Sequence, residues 1–256
     1  GALLALSKPP GLPILGRPGD LSLDALLPAL RRRLGLAAEL HVVKAPAREY
    51  SGLVLLSSCY HTTKNLQQFF TNARQRGQYP ATYRAITVGV PAEVEGEICT
   101  GLCWQQQGDR AMVRGCWWAV VTGDTPGSAE GCALQVVPVP APGRRSLARK
   151  DVKITLTHYR VLSALEGCAL LQLQPKTAFP EQLQVHLTLL LCPALGDHEH
   201  SSHVGRVLGV PFFLTPETAP TRTQVLEKEL LTRLGLSPRQ LHHLPLHIHL
   251  QELLLP

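Results

Sequence analysis

At 256 residues, with 45% apolar and 17% charged side chains, the chain is long enough to bury a substantial core and is excluded from the disordered class. Its formal net charge of +6 points to a polyanionic partner, nucleic acid first, with ordinary solubility charge as the competing reading. No run reaches the roughly 20 apolar residues of a membrane-spanning helix. Seven cysteines without a C-x-x-C pair argue for reduced thiols in an intracellular compartment rather than a disulfide framework.

The chain begins at Gly1 in an apolar segment, which implies a missing N-terminal piece in which any targeting segment would lie. Ala2 to Ser7 reads as a short buried strand, closed by the rigid turn Lys8-Pro9-Pro10-Gly11-Leu12-Pro13. Leu23, Leu26, Leu27, Leu30 and Leu34 then recur at helical spacing, with Asp20 or Ser22 as cap and Pro28 as a kink or early stop. Arg31-Arg32-Arg33 suits a helix C-terminus; RNA phosphate contact is the rival reading. From Lys44 to Tyr50 the chain is a proline-interrupted loop that feeds a β-prone run, Gly52 to Ser57. Loop-to-strand junctions present reactive side chains at cleft edges, yet position 47 is an alanine.

Thr62 to Arg74 reads as an amphipathic helix with Leu66, Phe69 and Phe70 inward. Ala81 to Gly89 alternates as a strand, with Tyr83, Ala85 and Thr87 on one face. From Cys99 to Lys150 periodicity dissolves, which predicts an irregular insertion at about 100–150, with a short strand at Ala133 to Val137. Cys99, Cys103, Cys116 and Cys132 fit no zinc spacing, so buried thiols are expected there and no metal. At the exit of this segment, Arg144, Arg145, Arg149 and Lys150 belong to the most basic run and are candidate phosphate contacts.

Ile154 to Leu162 and Cys168 to Gln174 read as antiparallel strands. Pro180 to Leu191 reads as a helix with Leu183, His186, Leu187 and Leu190 on one side, and His198, His200 and His203 as surface histidines. Gln224 to Leu234 is a further helix, Ser237-Pro238 starts a shorter one, and Leu244 to Leu250 is the last strand. With no P-loop, G-x-G-x-x-G or zinc signature, no cofactor is expected.

Six of these landmarks, in this order, resemble the RluA-type RNA pseudouridine synthases. Lys8 to Pro13 resembles that family's opening lysine-proline-glycine turn, and Ser51-Gly52-Leu53-Val54-Leu55-Leu56 the end of its catalytic motif, H-R-L-D-x-x-T-S-G-L. Thr82-Tyr83-Arg84-Ala85-Ile86 is similar to its tyrosine strand, and Gln182-Leu183-Gln184-Val185-His186 to the end of T-G-R-x-H-Q-I-R-V-H. Leu195-Gly196-Asp197 and Leu246-His247-Ile248-His249-Leu250 resemble two later landmarks. The resemblance implies a single α+β domain over 1–256, interrupted at about 100–150, with a long mixed, mostly antiparallel sheet, flanking helices and a central cleft. It also implies isomerisation of uridine to pseudouridine in RNA without a cofactor, on a base flipped out of its stack.

Carried over by position, the family's aspartate nucleophile falls at Ala47 and its base-stacking tyrosine at Tyr83. The motif's histidine and threonine positions hold Lys44 and Tyr50. Its later arginine positions hold Phe179 and Gln184, and the later histidine position holds Glu181. Joint loss of the aspartate and its arginine avoids an uncompensated buried charge, as expected of a cleft relieved of its chemistry. Glu49, two residues along, would face the same side as Ala47 in extended backbone and is the candidate substitute acid. Ala47→Asp is expected to restore no activity and, lacking its arginine, to lower stability. Lys8, Lys44 and Arg48 join the basic exit run as expected RNA contacts.

The retained motifs resemble a mitochondrial branch of the family directed at messenger RNA. That implies the mitochondrial matrix, with mitochondrial messenger or ribosomal RNA and RNA-processing proteins as partners. A working synthase, an RNA-binding or RNA-chaperoning pseudoenzyme and a protein-interaction scaffold are the functions in competition.

Overall fold

The computed structural model describes residues 2–17, 19–107, 110–122, 153–214 and 223–256. In chain order its elements are β1 (Leu3–Lys8), α1 (Leu23–Arg33), β2 (His41–Lys44), β3 (Ser51–Ser57), α2 (Tyr60–Gln75) and β4 (Ala81–Val88). There follow β5 (Glu95–Gln107), β6 (Arg110–Thr122), β7 (Lys153–Leu165), β8 (Cys168–Pro175) and α3 (Gln182–Leu189). The chain closes with β9 (Val204–Val207), β10 (Val210–Phe213), α4 (Lys228–Arg233), α5 (Pro238–Leu241) and β11 (Ile248–Leu253). The class is α+β with a mixed, mostly antiparallel sheet. Among the described residues no helix is long and apolar enough to cross a membrane.

These residues form two compact units, Gly1–Arg84 with Pro245–Pro256, and Ala85–Leu244. The first is built around β3. Its neighbour β1 runs antiparallel along one edge, from Leu3 opposite Ser57 to Lys8 opposite Gly52. On the other edge β2 pairs antiparallel with the C-terminal part, and β11 pairs parallel at Ser51 and Gly52. Period two decides which core each β3 side chain joins. Val54 and Leu56 pack with Leu23 and Leu27 of α1, whereas Leu55 packs with Leu66 and Phe70 of α2. Because both faces are covered, β3 reads as a continuous apolar run rather than an alternation.

Ser22 caps α1, accepting the Ala25 N–H at 3.3 Å, and the helix continues through Pro28 to Arg33 rather than stopping early. β1 is not a buried strand: its side chains alternate between exposed and half-buried until Lys8. α2 buries Thr63, Leu66, Phe70 and Ala73, and leaves Phe69 half-buried at the margin of that stripe.

In the second unit β8, β7, β5 and β6 follow one another, antiparallel at each described pairing. The irregular backbone expected from Cys99 is corrected as far as residue 122: β5 and β6 pair from Glu97 opposite Thr122 to Gln107 opposite Arg110. A register shift between Cys99 and Gly101 puts the side-chain alternation out of phase, so a period-two reading across it fails. The expected strand at Ala133 to Val137 lies outside the described residues.

α3 is shorter than expected and buried all round, not on one side. A helix without a solvent face carries no amphipathic signal, and most of its polar side-chain atoms are bonded internally, His186 Nδ1 being the exception. The β9–β10 hairpin had no counterpart in the sequence reading; it turns through Leu208 and Gly209, both at positive φ.

Candidate functional site

The chain segment that carries the candidate nucleophile position is a closed turn. The Tyr50 N–H donates to the Ala47 carbonyl at 3.2 Å, and Ala47, Arg48 and Glu49 are all exposed. Alternation along an extended strand therefore does not apply, and the expectation that Glu49 shares a face with Ala47 is corrected. An exposed residue 47 also removes the reason for Ala47→Asp to destabilise, since a carboxylate there stays solvated.

This turn is held from below by Lys8, only 1% exposed. Its ammonium donates to the carbonyls of Pro9 (3.0 Å), Leu12 (2.9 Å) and Arg48 (3.0 Å). All three N–H donors of the side chain are thereby used, so the expected phosphate contact is corrected to an internal clasp. Burial lowers the Lys8 pKa, against a smaller opposing effect of the Glu49 charge. Arg48 is doubly anchored to the Gly11 backbone: its carbonyl also accepts the Gly11 N–H at 2.8 Å, and its side-chain Nε donates to the Gly11 carbonyl at 3.3 Å.

Beside the turn, Tyr50 and Tyr83 lie T-shaped with ring centroids 6.1 Å apart. Tyr83 is 8% exposed, and burial pushes its hydroxyl up to about 12, so it stays neutral. Lys44 is half-buried with Nζ 5.9 Å from the Phe70 ring centroid. Burial first, and the Arg74 charge second, bring its pKa down to about 8. Lys44, Arg74, Tyr50 and Tyr83 thus form one aromatic and cationic group. Sequence reasoning named Lys44 and Tyr83, but nothing in the spacing marked Tyr50 or Arg74 as their neighbours.

Where the turn enters β3, Ser51 Oγ lies 2.9 Å from His249 Nδ1, across the parallel pairing with β11. His249 was legible as part of a landmark, not as the partner of Ser51. Gly52 has φ +125°, and a Cβ there would lie 2.8 Å from the Leu250 Cα. The small residue lets two backbones approach at the motif.

Gln184 lies in the second unit, buried at 5% exposure within α3. Its helix is anchored by Gln182, whose amide nitrogen donates to the Leu156 carbonyl (3.2 Å) and Thr157 Oγ1 (2.9 Å) while its oxygen accepts from Thr177 (3.0 Å). His186 is 1% exposed, with Nε2 3.0 Å from Thr155 Oγ1. Because the Thr155 hydroxyl donates to the Thr100 carbonyl at 2.8 Å, His186 is the donor in that pair. Burial drives its pKa down to about 3, so the ring is neutral.

Glu181, at positive φ ahead of α3, bonds His200 Nε2 at 3.1 Å. Burial opposes charge on His200, but Glu181, Asp197 and Glu199 outweigh it and raise the pKa. Glu181, Glu199 and His200 bring one ligand atom each within 4.8 Å of one another. The histidines expected at the surface are instead built into the fold. His200 is buried, and His198 accepts the Gln224 N–H at 3.2 Å with its other ring nitrogen 3.0 Å from the Leu244 carbonyl. Arg144, Arg145, Arg149 and Lys150 lie outside the described residues.

Residues 2–189 match the family model described as RNA pseudouridylate synthase. The chain is 45% identical to "Mitochondrial mRNA pseudouridine synthase Rpusd3" of Mus musculus, covering 100% of this chain and 68% of that protein. It is 47% identical to "Mitochondrial mRNA pseudouridine synthase RPUSD3" of Homo sapiens, covering 100% and 66%. The chain thus spans about two thirds of the length of these relatives. Among solved structures, "Human RNA Pseudouridylate Synthase Domain Containing 4" superposes with a TM-score of 0.69 at 27% identity, over 99% of this chain and 81% of that one. With the fold shared and the family model matched along residues 2–189, the chain belongs to the RNA pseudouridylate synthase family.

Proposed function

We propose that this protein binds mitochondrial messenger or ribosomal RNA in the mitochondrial matrix, as an RNA-binding or RNA-chaperoning member of its family without an isomerase nucleophile of its own. The observation that carries the reading is the turn at residue 47. It offers a methyl group, and the nearest acid along the chain, Glu49, is turned out of extended register and exposed. Covalent catalysis cannot be replaced by positioning alone. The compartment and RNA class are supported by the names of the relatives that match along the whole chain. Those names also favour a second reading, a working synthase whose carboxylate is Glu49 or comes from a partner protein.

Pseudouridine mapping of mitochondrial RNA, with and without the gene, and incubation of purified protein with the same RNA separate the two readings. Salt-dependent binding without product is expected. Ala47→Asp is expected to leave product absent and stability within about 0.5 kcal/mol. Pseudouridine formed by the wild-type chain and lost in Glu49→Gln would establish the second reading instead.

Lys44 supplies a pH test. Its folded pKa of about 8 lies below the ordinary 10.5, so the unfolded chain binds more protons between those values. Its contribution to stability therefore rises as pH climbs from about 8 to 10.5 and is lost as pH falls back through 8. RNA affinity moves the other way, because the ammonium charge disappears above about 8. Urea denaturation and RNA titration between pH 7 and 10 are expected to show both trends. Lys44→Met should flatten them; an unchanged profile would remove Lys44 from the RNA-binding surface.

A further inference from the structure

The outward face of α2 carries a feature that the motif residues do not use. Asn65, Gln68, Phe69, Asn72 and Arg76 follow one another at the spacing of a single helical stripe, and with Gln78 they line a hollow of about 300 Å³. The stripe flanks the buried one formed by Thr63, Leu66, Phe70 and Ala73. Its chemistry is unlike that of an ordinary solvated helix face, which mixes Lys with Glu in pairs one turn apart. From Tyr60 to Gln75 there is no carboxylate at all, while Lys64 and Arg74 lie within the helix and Arg76 directly follows it.

Four carboxamides in one hollow present N–H donors and carbonyl acceptors side by side, the combination that reads the edge of a nucleobase. Phe69, half-buried, gives the hollow an apolar aromatic wall, and Arg76 an exposed cation for a phosphate. An acidic protein segment would be selected by charge alone and would leave the amides of Gln68, Asn72 and Gln78 without a task, that of Asn65 also lying 3.2 Å from His61 Nδ1. The missing carboxylates mean that nothing in this helix repels a phosphate backbone.

We propose that this hollow is a second RNA subsite, in which the stripe Asn65–Gln68–Asn72 with Gln78 receives one unstacked base of a single-stranded segment and Arg76 holds an adjoining phosphate. The proposal rests on the reading of the protein as RNA-binding. The subsite would fix the position of a flanking nucleotide, and so contribute to the choice of RNA, at residues distinct from the turn at Ala47.

Fluorescence anisotropy with a labelled oligouridine and with an abasic ribose-phosphate strand of equal length tests it. The exposed or half-exposed positions allow Gln68→Ala/Asn72→Ala and Arg76→Ala to be made without touching the core, and a thermal melt confirms folding. The double variant is expected to weaken oligouridine binding about tenfold while leaving abasic binding within about twofold. Arg76→Ala is expected to weaken both strands and to lower the salt slope by about 0.7. Wild-type binding with both variants indistinguishable from it overturns the subsite and leaves the RNA reading standing. A wild-type chain that binds neither strand at any salt overturns the RNA reading itself, and the subsite with it.

Discussion

Gly52→Ala is expected to destabilise the first unit by more than about 3 kcal/mol, or to prevent its accumulation as soluble protein. Two independent costs meet at this position. The backbone has φ +125°, where L side chains are rarely found, and the added Cβ would press into backbone atoms of Leu250 that cannot rotate away. Relief would require separating β3 from β11 at Ser51 and Gly52, which also breaks the Ser51–His249 contact. Gly77→Ala is the matched control: φ is +74°, but a Cβ there meets nothing within 4 Å, so only conformational strain of about 1 kcal/mol is expected. Soluble yield and urea denaturation followed by circular dichroism compare the two. Equal midpoints would mean that the close parallel pairing does not exist in solution.

The same pairing shows what in this fold was legible from residues alone. β3 and α2 announce themselves because each buries a regular apolar set, Val54, Leu55 and Leu56 in one and Leu66, Phe70 and Ala73 in the other. Signals that rely on a constant period failed where the period is broken. The register shift near Cys99 hid two strands, and the turn at Ala47 to Tyr50 defeated an argument that assumed extension through Glu49. Signals that rely on residue type failed where polarity is spent internally. Lys8 looked like a phosphate contact, and Pro180 to Leu191 looked like a helix with Leu183, His186, Leu187 and Leu190 on one side, although α3 has no outside. Tyr50 was legible as the holder of the motif's threonine position but not as the partner of Tyr83, because a buried edge-on ring pair depends on two positions far apart in the chain. The candidate site is therefore legible in the ordered landmarks, whereas the clasp that shapes it exists only in the folded arrangement of Lys8, Pro9, Leu12 and Arg48.

That clasp sets the second large expected effect. Lys8→Met keeps most of the side chain's length and apolar stem but removes three charge-assisted hydrogen bonds, to the Pro9, Leu12 and Arg48 carbonyls. Part of the loss is offset, because the desolvation that lowers the Lys8 pKa no longer has to be met. A net destabilisation of about 2 kcal/mol is expected, with a lower urea midpoint and an unchanged slope. The effect should be local as well as global. Arg48 keeps its two contacts with the Gly11 backbone, one through its carbonyl and one through its side chain, but the turn loses its only described link to the end of β1 through a side chain of that strand. Hydrogen exchange at the Tyr50 amide, which closes the turn onto Ala47, should therefore quicken more than exchange within β3. Arg48→Ala is the contrasting variant: an exposed cation removed, with RNA affinity reduced and the urea midpoint moved by no more than about 0.5 kcal/mol equivalent. If Lys8→Met instead denatured like the wild type while losing RNA affinity, the lysine would be a phosphate contact after all, and the turn at Ala47 would owe its shape to its own backbone.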